Sequence, residues 1–127
     1  MITADTRTWV AFLDGASGDD VLLLKKALQG HQLSMLPVVL TELLSDSNLP
    51  SSVAASLTDL PPIEIEPGFW QRAGALRAKV LAKRRRACLG DSLIAQLCLD
   101  AGLSLITRDR DFRSFAEVSS LSLLLSP

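Results

Sequence analysis

The sequence predicts a three-layer α/β/α sandwich with a mainly parallel sheet of four or five strands. Three observations predict it. Short apolar runs alternate with amphipathic stretches along the chain, the pattern of a parallel sheet covered on both faces. Gly and Pro punctuate the boundaries between them. The length of 127 residues, 48% hydrophobic with a mean hydropathy of +0.29, suits one domain over residues 1–127. A chain of that size buries roughly two-thirds of its unfolded surface in a single core.

The elements follow in order. Ile2–Ala4 is a short apolar strand ending at Asp5–Thr6, after which Trp9, Val10, Phe12 and Leu13 recur at helical spacing. A turn at Gly15–Gly18 precedes a second helix, capped by Asp19 or Asp20, carrying Val21, Leu24 and Leu28 and stopped by Gly30. Leu33–Leu36 reads as a buried strand, and Pro37 suits the first turn of a helix running to about Asp46. Asn48–Ser52 breaks the chain before a helix over Val53–Leu60. After Pro61–Pro62 comes a third strand, Ile63–Ile65, closed by Pro67–Gly68. Phe69, Ala73, Leu76 and Val80 then form the apolar stripe of a longer helix. Gly90 separates it from a helix over Asp91–Ala101, which Gly102 stops. Leu103–Thr107 and Leu121–Leu125 are the remaining strands.

Composition excludes several classes. Disordered chains are polar and highly charged, unlike this one. No apolar run approaches the roughly 18–20 residues of a membrane span. The opening MITADTRTW lacks a basic region followed by an apolar core, so the expectation is an unexported, cytoplasmic protein. Cys88 and Cys98 match no zinc spacing and read as reduced thiols, and His31 stands alone. Charge is uneven: Met1–Glu66 holds three basic and nine acidic residues, whereas Pro67–Pro127 holds ten basic and five acidic. Such asymmetry fits an anionic partner on one face, and equally a solvated basic helix.

Sites in open α/β sheets form beyond the carboxyl ends of the strands. Asp5, Asp109 and Asp111 fall there, although Asp also caps helices and makes turns. Asp91 is more informative. Its helical neighbours at i+3, i+4 and i+7 are Ile94, Ala95 and Cys98, while Ser92, Gln96 and Asp100 mark the polar side. An unpaired carboxylate on an apolar flank is costly, and a helix-dipole role explains an acid in the first turn but not its face. Glu42 sits at the edge of an apolar arc beside Val38 and Val39, where a plain solvated glutamate is the competing reading.

Taken together, DTRTW at Asp5–Trp9, TELL at Thr41–Leu44, GDSLIA at Gly90–Ala95 and TRDRDF at Thr107–Phe112 resemble the four signature blocks of the PIN-domain ribonucleases. Each block alone is weak; their order, with apolar strands ahead of the first and last, carries the resemblance over nearly the whole chain. The short length and the LSLITRDRDF segment resemble the VapC-type toxins of bacterial toxin–antitoxin pairs. The resemblance implies a parallel sheet with Asp5, Glu42, Asp91 and Asp109 gathered at one end as catalytic and metal-binding acids, with Asp111 auxiliary. It also implies RNA cleavage leaving 5′-phosphate and 3′-hydroxyl ends, a homodimer, and a small antitoxin whose helix occupies a groove near the site. The sequence departs from the family at Arg7, where a small polar residue is common. A guanidinium there either neutralises the acids or reaches a phosphate, or else competes with a metal. Thr6 and Thr107 offer hydroxyls to orient Asp5 and Asp109.

Four gathered carboxylates repel one another, so some protonate or cations bind. An all-oxygen set without His or Cys suits Mg²⁺ or Mn²⁺ rather than zinc, and either one or two ions. Such ions polarise a phosphodiester and activate water. If the long helix continues through Arg86, then Arg72, Lys79, Lys83 and Arg86 share one face and offer phosphate contacts to RNA. The six aromatic residues sit mostly at core spacing, with Trp70 open to exposure. Competing readings are an inactive PIN-like RNA- or protein-binding module, a housekeeping RNA-processing nuclease, and a receiver-like phosphate-accepting domain. The last lacks an obvious central acceptor Asp and a late Lys, because no Lys follows Lys83.

Overall fold

A computed structural model describes residues 1–124. In chain order the elements are β1 (Ile2–Ala4), α1 (Thr6–Leu13), α2 (Asp19–Gln29), α3 (Pro37–Leu44), α4 (Ser51–Thr58), α5 (Phe69–Ala82), α6 (Leu89–Ala101), β2 (Ser104–Ile106) and α7 (Phe112–Glu117). Strands β1 and β2 pair in parallel with Ala4 opposite Ile106, so both chains leave the sheet at the same end. Asp5 N–H continues the ladder to the Ile106 carbonyl at 3.1 Å.

Regular pairing stops at these two strands. The other expected strands join through single parallel bridges, Ile2 with Leu33, Met35 with Pro62, and Leu105 with Leu123. The reason is local. Helix α3 starts at Pro37, directly after the Leu33–Leu36 segment, and Pro61 and Pro62 have no N–H to give a ladder. Leu125, the end of the fifth expected strand, lies outside the described residues.

Other boundaries also shift. Helix α5 ends at Ala82, with Lys83 as its C-cap, and Arg84 then adopts a left-handed φ of 57°. The break therefore falls at residues 83–88, and Gly90 lies within α6 rather than before it. Helix α4 begins two residues early, at Ser51, and α7 occupies a stretch where the hydrophobic pattern suggested no helix. Gly102 ends α6 where expected, its φ of 66° suiting a residue without Cβ.

The core is one cluster running from Ala4 and Trp9 through Leu36, Val39, Phe69 and Val80 to Ile94, Leu105, Phe112 and Phe115. Helix α6 is buried on most sides: its Ser92–Gln96–Asp100 side, polar by sequence, is covered by α5. There Arg72 bonds both Asp100 oxygens, at 3.0 and 2.6 Å, and Gln96 donates to one of them. Helix α7 seals the base of α5 and α6 with two fully buried rings, Phe112 and Phe115. Phe115→Ala is expected to cost about 3–5 kcal/mol, the usual loss for an excavated aromatic. Urea unfolding checks this, and a loss below about 1 kcal/mol, as at a surface position, would remove α7 from the core.

Candidate functional site

Because β1 and β2 run in parallel and in register, the residues that follow them meet. Asp5 is 2% exposed and uses both carboxylate oxygens. Its Oδ1 accepts from the Thr8 amide at 3.0 Å, capping α1, and its Oδ2 accepts from Thr107 Oγ1 at 2.6 Å. Asp5 is therefore both a cap and a member of a wider cluster. The Thr107 hydroxyl accepts in turn from the Asp109 amide at 2.9 Å, and Asp109 Oδ1 accepts from the Asp111 amide at 3.0 Å. This chain of bonds curls the segment after β2 back over the end of β1.

Three further segments close the site. Glu42 on α3 accepts from Thr6 Oγ1, at 2.7 Å, across the gap between α1 and α3. Asp91 stands in the first turn of α6, and Asp111 begins α7. The result is a cavity of about 240 Å³ lined by Asp5, Glu42, Asp91, Asp109 and Asp111, with Thr6, Arg7, Arg86, Cys88 and Ile94 completing the wall. All four acids expected to converge do so, and Asp111 joins them fully.

The electrostatics of this cavity are strained in a specific way. Burial pushes the Asp5 carboxyl above the usual range, against the pull of its hydrogen bonds from Thr107 and Thr8. Asp91 is pushed up to about 6, first by burial and then by the charges of Asp109, Asp5, Asp111 and Glu42. The amino ends of α1 and α6 face the cluster and offset part of that repulsion. Asp91, Asp109 and Asp111 each bring an oxygen to within 4.8 Å of the others. This all-oxygen donor set, whose mutual repulsion a cation relieves, fits a hard divalent ion such as Mg²⁺ or Mn²⁺.

The cationic residues divide. Arg7 Nε lies 3.5 Å from Asp109 Oδ2, with its side chain 70% exposed. Arg86 lines the cavity. Arg72 does not reach it: it is committed to Asp100 and to the Pro67 carbonyl and lines, with Lys79, a different cavity. Since α5 stops at Ala82, Arg72, Lys79, Lys83 and Arg86 do not form the single helical stripe expected of them. What brings Arg86 to the acids is the turn after α5, where Arg77 Nε holds the Ala87 carbonyl at 2.8 Å. Sequence reasoning also missed Cys88 in the wall and the buried Asp20, which pairs with Arg108. The adjacency of Arg108 to Thr107 and Asp109 was the available signal.

A family model described as PIN domain matches residues 2–118. The chain is 26% identical to the VapC ribonuclease Mb1587 of Mycobacterium bovis over 128 aligned positions, covering 95% of this chain and 96% of that protein. It is equally similar to ribonuclease VapC11 of Mycobacterium tuberculosis. Among solved structures, FitAcB from Neisseria gonorrhoeae superposes with a TM-score of 0.70 over 99% of this chain and 98% of that one, at 17% identity, a likeness of fold.

The raised value at Asp91 has a consequence for stability. Its ordinary value is 3.8 and its folded value is about 6, so in metal-free protein its ionised form opposes folding. That opposition is absent below about pH 4, grows through the interval and is complete above about pH 6. Metal-free Asp91→Asn is therefore expected to melt above the parent at about pH 7.5 and level with it near pH 4. Thermal unfolding in chelator measures both, and equal midpoints at both pH values would show that the charge carries no penalty.

Proposed function

The chain belongs to the PIN domain family, and from that premise we propose that it is a metal-dependent endoribonuclease, the toxin of a toxin–antitoxin pair. One observation carries this reading: five carboxylates from distant segments line one cavity, and three of them offer oxygens close enough to share a cation. The names of the VapC ribonucleases it matches support RNA as the substrate, and the resemblance of the chain to VapC-type toxins points to a toxin role.

In this reading Asp91, Asp109 and Asp111 hold Mg²⁺ or Mn²⁺, with Asp5 and Glu42 beside them. When bound, the ion supplies Lewis-acid polarisation of the phosphodiester and activation of the attacking water, giving 5′-phosphate and 3′-hydroxyl ends. The protein's own residues do the positioning. Thr107 fixes Asp5 and the Asp109 backbone with one hydroxyl, and Thr6 aims Glu42. Arg86 and the exposed Arg7 present cations at the cavity to the phosphates of the strand. Lys83, three residues before Arg86, adds to that field, and Lys79 lies one turn earlier on α5, while the Arg72 charge is matched by Asp100.

The antitoxin finds support in a groove of about 290 Å³ bordering Glu42, where Val10, Leu13, Leu43 and Val53 alternate with Asp14 and Asp46. Such a lining suits an amphipathic helix bearing basic residues. A homodimer, which the resemblance to the family implies, belongs to the same reading. Among the described residues no helix is long and apolar enough to cross a membrane. A second reading, a binding module that holds RNA without cutting it, draws on the Arg7–Asp109 contact, which sets a guanidinium against the donor set.

Purified protein with RNA and Mg²⁺ or Mn²⁺ separates the two readings. Cleavage is expected, abolished by chelator and reduced at least about 100-fold in Asp5→Asn and Asp109→Asn. Asn caps a helix as well as Asp does, so Asp5→Asn keeps α1 while removing the charge. Intact RNA at every metal concentration, with binding retained, would establish the binding module instead. Arg86→Ala is expected to weaken RNA affinity and lower its salt slope by about 1; an unchanged slope would remove Arg86 from the phosphate contacts.

A further inference from the structure

Beside the cavity, one ion pair is built more tightly than a surface contact requires. Asp20, in the first turn of α2, has a side chain only 7% exposed. It accepts from Arg108 Nε at 2.7 Å and Arg108 Nη2 at 3.0 Å, one on each oxygen, and from Thr8 Oγ1 at 3.0 Å. Arg108 Nη2 also donates to the Ser17 carbonyl at 3.2 Å. Gly18 leaves the room for this arrangement. A Cβ on its backbone, with φ at 149°, would stand 2.6 Å from Asp20 Oδ1 and 2.9 Å from Arg108 Nη2.

A helix-dipole role does not account for Asp20, because its neighbour Asp19 occupies the same turn, is exposed, and serves the dipole equally well. What distinguishes Asp20 is where its partners lead. Thr8, whose hydroxyl it holds, caps onto Asp5 through its own amide. Arg108 lies between Thr107, bonded to Asp5, and Asp109, whose amide is bonded to Thr107. Asp5, Thr8, Asp20, Arg108 and Thr107 thus close a ring, joined by side-chain bonds and one peptide link, around the root of the acidic cluster.

We propose that Asp20 is a positioning residue for the acidic site: its two-point grip on Arg108 fixes the Thr107–Asp109 turn, and its bond to Thr8 fixes Asp5. This rests on the reading of the acids as cation ligands. Loosening the pair lets Asp109 leave the geometry in which its oxygen lies close to those of Asp91 and Asp111, and lets Asp5 shift beside them, although neither Asp20 nor Arg108 lines the cavity.

Mn²⁺ affinity, measured by calorimetry on the full chain alongside thermal unfolding, tests it in the parent, Asp20→Asn, Arg108→Lys and the double variant. Each single variant is expected to bind Mn²⁺ about tenfold more weakly while still folded, the usual scale for losing an orienting partner. The double variant is expected to be no weaker than either single one, because both break the same link. Unchanged Mn²⁺ affinity with a lowered midpoint would overturn the proposal and leave the pair a fold-stabilising contact. Additive losses in the double variant would overturn it too. Should Asp20→Asn fail to fold, Arg108→Lys, whose side chain is partly in solvent, decides alone. A parent that binds no Mn²⁺ defeats the cation-ligand reading itself, a result distinct from a variant that binds like its parent.

Discussion

Thr107 Oγ1 donates to Asp5 Oδ2 at 2.6 Å, between two nearly inaccessible groups that lie 102 residues apart in the chain. Strands of three residues cannot hold their alignment by ladder bonds alone. Both faces of the pair are buried, at Thr3 and Ala4 on one strand and Leu105 and Ile106 on the other, so close packing on each face sets the register. Once Ala4 faces Ile106, Asp5 and Thr107 are forced together, and their bond becomes the hinge on which the site is hung. Both the Thr107 hydroxyl and the Thr8 amide donate to the same carboxylate, so Asp5 joins the carboxyl ends of the strands to the start of α1.

The acids are not equivalent. Asp5 is the most deeply buried of them, yet its two oxygens are matched by a hydroxyl and an amide. Asp91 is less buried but has no side-chain donor among the described residues, and it faces four other carboxylates. Burial without partners, compounded by like charge, is what moves a carboxyl furthest. The fold therefore anchors one acid firmly and leaves another electrostatically unsatisfied in the same cavity. That contrast separates a group that shapes the site from one suited to a cation.

Much of this was legible in the residues, and what was not has physical causes. The apolar face beside Asp91 pointed to its placement because a lone carboxylate there is expensive, and the four blocks brought Asp5, Glu42, Asp91 and Asp109 into one reading. The extent of the sheet was overread. Apolar runs at Leu33–Leu36 and Ile63–Ile65 do lie beside the strands, but flanking prolines reduce their pairing to single bridges. The basic stripe failed because helical periodicity was extended past Ala82, and nothing in Lys83–Arg86 announces that Arg84 turns left-handed. Helix α7 escaped because Phe112 and Phe115 span too short a stretch to show a period. Asp20 read as a helix cap, since one sequence cannot reveal a partner 88 residues away.

The long span between Asp5 and Thr107 bears on how the protein is made. A polypeptide emerges from the ribosome amino end first, so the segment carrying Asp5 is released long before the one carrying Thr107, Asp109 and Asp111. Until that late segment emerges, the cavity lacks a wall and β1 lacks its neighbour β2. A chain of this topology cannot assemble its acidic cavity until the segment carrying Thr107, Asp109 and Asp111 has been made.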